Sequence, residues 1–260
     1  MTLHNKVALV TGGSRGIGRA ICLGFAAQGA KVVVAARTEM DASAGTEFAR
    51  YASGTIHATA RMIHERGGTA VGIPCDVSCV EDMRRLVATT LERFGRLDIV
   101  VNNAGIDCEA PVVDLEIDLV DRCLAVNMRA LLLLCKFALP SMIAQQSGSI
   151  FCITSGAARG YRPGRVGYSM SKAALDRLFL SLAEEVRPHN IAVNVLSPGR
   201  VDTWMNRRGD WPGTGHIPMV QPETMIPAAV WLAQQSAASF SGHLVERANF
   251  GVTWGPQKRA

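Results

Sequence analysis

Short apolar runs alternate along the chain with longer stretches in which apolar residues recur every three or four positions. The first kind reads as buried strand, the second as amphipathic helix. Residues 6–10, Lys-Val-Ala-Leu-Val, open the series, and a helix is expected over about 18–28. Residues 31–36 form a second, nearly continuous apolar run bounded by Gly29 and Arg37. Further strands are expected at 70–75, 97–102, 148–154, 191–196 and 243–245. Helical patterns occupy 80–94, 115–146, 167–186 and 222–235. Apolar strands separated by helices predict a parallel sheet covered on both faces. The expected fold class is therefore α/β, a single-domain Rossmann-type doubly wound parallel sheet over residues 1–260. Its ligand crevice should lie at the C-terminal ends of the strands.

Two loops are long for such a fold. Residues 38–55 are small and polar and read as a surface insertion. Residues 202–221 follow a strand's C-terminal end and carry Trp204, Trp211, Pro212, Gly213, Gly215 and Pro218, so they read as a substrate loop.

Composition narrows the class. A chain of 260 residues, 48% hydrophobic and 19% charged, can bury one large core. Its seven cysteines (Cys22, Cys75, Cys79, Cys108, Cys123, Cys135 and Cys152) are scattered without metal-binding spacing and read as buried reduced thiols. The first residues lead directly into a strand, so no signal peptide is expected. The leucine run at 131–134 is stopped by Lys136, so no membrane partner is expected. The expected location is cytoplasmic. The net charge of +5 is dispersed, with no basic run carrying aromatics, which argues against nucleic acid. A positive balance also suits a cofactor that bears several phosphates.

Three groups of residues carry chemistry. Thr11-Gly12-Gly13-Ser14-Arg15-Gly16-Ile17-Gly18 joins the first strand to the first helix. Glycines there permit a tight turn and close approach of a pyrophosphate to backbone N–H groups at a helix N-terminus. The second strand ends Ala35-Ala36-Arg37-Thr38, with no carboxylate for a ribose 2′-hydroxyl. Arg37 can face a 2′-phosphate instead, with Arg15 as a second cation, which favours NADP(H) over NAD(H). Tyr168 and Lys172, four apart on a helical pattern, share one face, with Ser155 upstream. A phenol titrates near about 10, and an ammonium held beside it favours its ionised form. The pair therefore reads as a general acid/base for a carbonyl oxygen.

With these residues placed, the chain resembles the short-chain dehydrogenase/reductase family over nearly its whole length. The loop from Thr11 to Gly18 resembles its cofactor signature, with Gly12, Ser14, Arg15, Gly16, Ile17 and Gly18 at the phosphates. Asp76-Val77 resembles the pair at the adenine, and Asn102-Asn103-Ala104-Gly105 the motif ending the fourth strand against the ribose. Asn127, Ser155, Tyr168 and Lys172 match the family's catalytic tetrad. Ser197-Pro198-Gly199 with Val201 and Thr203 resembles the segment that closes over the nicotinamide. The resemblance implies a nicotinamide cofactor and carbonyl/alcohol redox chemistry. It also implies that Lys172 binds the nicotinamide ribose and that Asn127 holds a water linked to the lysine. The long 38–55 segment is similar to that of a subset, the hydroxysteroid dehydrogenase-like members. Another departure is the end, Gly242-His243-Leu244-Val245-Glu246-Arg247-Ala248-Asn249-Phe250-Gly251, which differs from the family's usual closing segment.

The expected substrate is a small carbonyl or alcohol compound. A 3-oxoacyl thioester reductase is the alternative within the class, and a non-catalytic NADP(H) sensor or scaffold the alternative outside it. Arg159, Arg162, Arg165, Arg207 and Arg208 should lie near the site mouth, where they recognise an anion or stand solvated, with Asp202 and Asp210 neutralising some. Trp204, Trp211, Tyr161 and Met170 either line an apolar pocket or pack. The helices at 115–146 and 167–186 are apolar over more than one face, which with the resemblance predicts a homotetramer or homodimer.

Overall fold

Alternate residues of each strand feed two separate cores, and this alternation fixes the layers. The structure, a computed structural model, describes residues 2–39, 54–208 and 218–256. Its strands are β1 (Val7–Thr11), β2 (Lys31–Ala36), β3 (Thr69–Pro74), β4 (Ile99–Asn102), β5 (Gly148–Ile153), β6 (Ile191–Ser197) and β7 (Leu244–Glu246). They form a seven-stranded sheet ordered β3-β2-β1-β4-β5-β6-β7. Each adjacent pair is parallel. Val7 and Leu9 of β1 point to one core, Ala8 and Val10 to the other.

The first core takes α3 (Val80–Phe94), α5 (Ala130–Gln145) and α6 (Val166–Val186), through residues such as Leu86, Leu134 and Phe179. The second takes α1 (Gly16–Ala27), α2 (Ile56–His64) and α8 (Ile226–Leu232), through Phe25, Ile63 and Leu232. Helices thus cover both faces, as the apolar strands demand. The chain winds outward from β1 to β3, then restarts at β4 on the other side of β1. The point of reversal opens a crevice above the C-terminal ends of β1 and β4.

Two elements differ from the sequence expectation. α2 falls where no helix is expected. Thr55 Oγ1 caps it by accepting from Ala58 N at 2.9 Å, and Ile56, Thr59, Ala60 and Ile63 form its buried stripe. The single helix expected at 115–146 starts at Ile117 as α4 (Ile117–Leu124) and widens into a π turn at Ala125–Arg129 before α5. By length and composition alone, the run Ile117–Gln145 suffices to cross a membrane, despite Lys136. Here its Ala130, Leu131, Leu134 and Ala138 fill the core. Among the cysteines, Cys79 is exposed while the other six are buried.

The unusual C-terminal segment packs on its own chain. Trp254 donates from Nε1 to Glu246 O at 2.8 Å and sits edge-on to Phe250 and Trp231, with centroids 4.8 and 5.8 Å away. Residues 40–53 and 209–217, which hold most of both long loops, lie outside the described residues, as do Asp210 and Trp211. A short helix, α7 (Trp204–Arg208), opens the second loop.

Candidate active site

The cleft is built from what each strand places just past its C-terminal end. Past β1 come Gly12, Ser14, Arg15, Gly16 and Ile17; past β2, Arg37 and Thr38; past β3, Asp76 and Val77. Past β4 come Asn103, Ala104 and Gly105; past β5, Ser155; past β6, Pro198, Gly199 and Thr203. Tyr168 and Lys172 reach in from α6. The cleft has a volume of about 510 Å³. Three residues expected at the site stand off it. Gly18 and Asn127 lie behind the cleft wall, and Val201 is fully buried in the core, bridged to Val220.

The glycines hold open a space that side chains would fill. Gly12 has φ +67°, and a Cβ there would lie 2.8 Å from Asn103 Nδ2. At Gly18 a Cβ would lie 2.3 Å from Gly12 O, so the turn closes only with glycine. The edges of β1 and β4 are locked together above it. Thr11 Oγ1 accepts from Asn103 N at 3.1 Å and Ala104 N at 3.2 Å, and Asn103 Nδ2 donates to Thr11 O at 2.9 Å. The cradle at the N-terminus of α1 fits a pyrophosphate.

One corner of the cleft gathers cations. Arg15, Arg19 and Arg37 all line it. Burial, then the charges of Arg37 and Arg19, push the Arg15 guanidinium below its usual range. Arg19 was absent from the sequence expectation, although one helical turn from Arg15 puts it on the same face. Arg37 also approaches Asp76 at 4.0 Å. Burial would raise the Asp76 carboxyl, but hydrogen bonds from Ser78, with Arg37 and Arg122, hold it below the usual carboxylate range.

At the other end, Tyr168 and Lys172 are both buried. Lys172 Nζ lies 5.8 Å from the Tyr168 ring centroid and donates to Ile153 O at 3.0 Å. An ammonium carries three N–H donors, so others remain for a ligand. Ser155 Oγ accepts from Ala157 N at 3.2 Å, which leaves its O–H to donate. Asn127 sits in the π turn. Its Oδ1 accepts from Ile106 N at 2.9 Å, and its Nδ2 donates to Ser171 Oγ at 2.9 Å and Ile106 O at 3.0 Å. These bonds tie the π turn, α6 and the segment that follows β4 into one unit. π turns often occur where function needs a side chain re-aimed.

The comparisons with known proteins match this geometry. A model of the short chain dehydrogenase family fits residues 6–210. The chain belongs to the short-chain dehydrogenase family. Like other members, this short-chain dehydrogenase is an oxidoreductase. It is 32% identical over 242 residues to a 3-oxoacyl acyl-carrier-protein reductase of Synechocystis, covering 92% of this chain and 93% of that one. It is 35% identical over 206 residues to human dehydrogenase/reductase SDR family member 4, covering 79% and 69%. A metagenomic short-chain oxidoreductase solved in complex with NADP superposes at TM-score 0.76, with 31% identity and 95% and 98% coverage. A putative NAD(P)-dependent gluconate 5-dehydrogenase from Beutenbergia cavernae superposes at 0.81, with 30% identity and 94% and 96% coverage.

The arginines expected at the mouth of this short-chain dehydrogenase take separate roles. Arg165 is buried rather than solvated. It lies 4.5 Å over the Tyr168 ring centroid and pairs with Asp107 at 3.1 Å and Glu109 at 2.8 Å. Burial and Asp107 push the Glu109 carboxyl up, with Arg165 opposing. Arg159 pairs with Glu246 at 3.2 Å and Asp176 at 3.6 Å. Burial raises the Asp176 carboxyl. Arg207 pairs with Asp202. Trp204 lines the cleft, whereas Tyr161 is fully exposed and Met170 exposed on α6, so neither forms a pocket wall.

Proposed function

We propose that this short-chain dehydrogenase interconverts a ketone and a secondary alcohol with NADP(H) as cofactor. The observation that carries the reading is the meeting, in one cleft, of a phosphate cradle and a buried Tyr168–Lys172 pair beside the open O–H of Ser155. The glycine loop and the N-terminus of α1 would hold the pyrophosphate, and Asp76 and Val77 the adenine. Asp76 is ionised at neutral pH and so can accept from an amine. Asn103, Ala104, Gly105 and Lys172 would hold the ribose on the nicotinamide side. Pro198, Gly199 and Thr203 would close over the ring. When bound, the nicotinamide supplies or accepts the hydride.

Arg15, Arg19 and Arg37 repel one another across their corner, and a doubly charged 2′-phosphate relieves that repulsion. This supports NADP(H) over NAD(H). In reduction, Tyr168 gives its hydroxyl proton to the carbonyl oxygen while Ser155 donates a hydrogen bond to the same atom. Lys172 stabilises the resulting phenolate from within the same buried wall. Asn127 anchors the wall through Ile106 and Ser171. The similarity to the Synechocystis reductase over 92% of the chain favours a second reading, reduction of 3-oxoacyl thioesters.

The test is NADPH and NADH oxidation, side by side, with a ketone panel that includes acetoacetyl-CoA. Turnover of simple ketones with NADPH is the expected result. A folded protein that oxidises neither nicotinamide with any ketone overturns the reading, and turnover of the thioester alone selects the second.

We further infer assembly into a homotetramer or homodimer. Ile117 on α4, Leu132 on α5 and Val166 and Met170 on α6 are large apolar side chains left exposed on outer helices. Light scattering at micromolar protein is expected to give a mass of two or four chains. The mass of one chain would refute this.

A further inference from the structure

A second, smaller pocket of about 210 Å³ adjoins the main cleft and shares Ser155, Arg165, Gly199 and Asn206 with it. Three arginines line it, namely Arg162, Arg165 and Arg200, against a single carboxylate, Glu246. Glu246 pairs with Arg159, and Arg165 with Asp107 and Glu109. Arg162 adds a cation to the same wall. Arg162 is only partly exposed, and among the described residues its guanidinium makes no ion pair or hydrogen bond. A half-buried guanidinium in a concave wall is a fork-shaped donor set suited to a planar or tetrahedral oxyanion.

We propose that this pocket receives a compact anionic group, carboxylate or phosphate, carried on the ketone substrate a few bonds from the carbonyl. The inference rests on the oxidoreductase reading and adds the substrate class to it. Because Ser155 borders both spaces, a ketone oxygen bonded to Ser155 leaves its remaining arm directed to one pocket or the other. The volume equals about seven liquid waters at roughly 30 Å³ each, so the arm is short. Arg162 is then a specificity-determining residue that acts in binding and takes no proton.

Matched pairs test this with the protein and NADPH: 4-oxopentanoate against its methyl ester, and dihydroxyacetone phosphate against dihydroxyacetone. At least one anionic member is expected to exceed its neutral partner about 10-fold in kcat/KM, through KM, as a partly exposed charge-assisted bond allows. The two pairs tell a carboxylate from a phosphate. Arg162→Gln should abolish the preference while leaving the neutral ketones unchanged, and Arg162→Lys should keep part of it. Added salt should weaken the anions alone. Equal turnover within both pairs overturns the proposal, as does an Arg162→Gln protein impaired equally on acid and ester. Calorimetric binding of 4-oxopentanoate and dihydroxyacetone phosphate to the NADP-loaded protein separates this failure from that of the oxidoreductase reading. Binding that Arg162→Gln removes upholds the anion site even without turnover, and no binding of either anion rejects it.

Discussion

Replacing Tyr168 with Phe is expected to lower kcat by roughly 10²- to 10⁴-fold, the span that general acid/base groups contribute. The ring stays, so its contacts with Arg165 and Lys172 persist. Only the hydroxyl, the group proposed to exchange the proton, is lost. NADPH affinity, read by fluorescence titration, should change little, because the cradle lies on the other side of β4. Steady-state NADPH oxidation with the best ketone of the panel checks the kcat. Near wild-type turnover in a folded Tyr168→Phe protein would remove Tyr168 from its proposed role.

Arg37→Ala should change cofactor choice without touching the chemistry. A charge-assisted hydrogen bond contributes about 1.5–3 kcal/mol, and partial exposure to salt cuts the combined effect of Arg15 and Arg37. A preference for NADPH over NADH of about 10²-fold in kcat/KM is the expected wild-type value on that basis. Arg37→Ala should erase most of it by raising the KM for NADPH, with NADH kinetics nearly constant. Stability should hold, since the pair with Asp76 is long, at 4.0 Å, and exposed. Ala36→Asp should act in the same direction by repelling the phosphate. An unchanged NADPH/NADH ratio in Arg37→Ala would make Arg37 a solvated turn residue and reject the NADP(H) reading.

Strand positions were legible because the inner parallel strands are buried on both faces and so read as unbroken apolar runs. Val32, Val33 and Val34, all fully buried, are the plainest instance. α2 was less legible for a physical reason. Its stripe depends on Thr59 and Ala60, which carry little hydrophobic signal, and it follows a polar segment that looks like uninterrupted loop. The π turn was invisible because one inserted residue shifts the apolar period only locally. At the site, the glycine loop and the Tyr168–Lys172 spacing carried their own meaning, since local geometry sets both. The arginines did not. Arg159, Arg162 and Arg165 look alike in sequence, and only the fold gives the first Glu246, the third Asp107 and Glu109, and leaves the second without a partner among the described residues.

The pairing of β1 with β4 joins residues that are synthesised far apart in time. Ala8 lies beside Ile99, while its other neighbour, Val32, follows it closely along the chain. At about 5–20 residues per second, Ile99 leaves the ribosome's active centre roughly 5–20 s after Ala8. For that interval the backbone N–H and C=O groups on one edge of β1 have no β4 to pair with. The crevice residues past β1, β2 and β3 are thus synthesised before the half that carries Tyr168. A lesion that delays β4, at Ile99 or Val101, would prolong the life of that edge during biogenesis and expose nascent chains to pairing with one another.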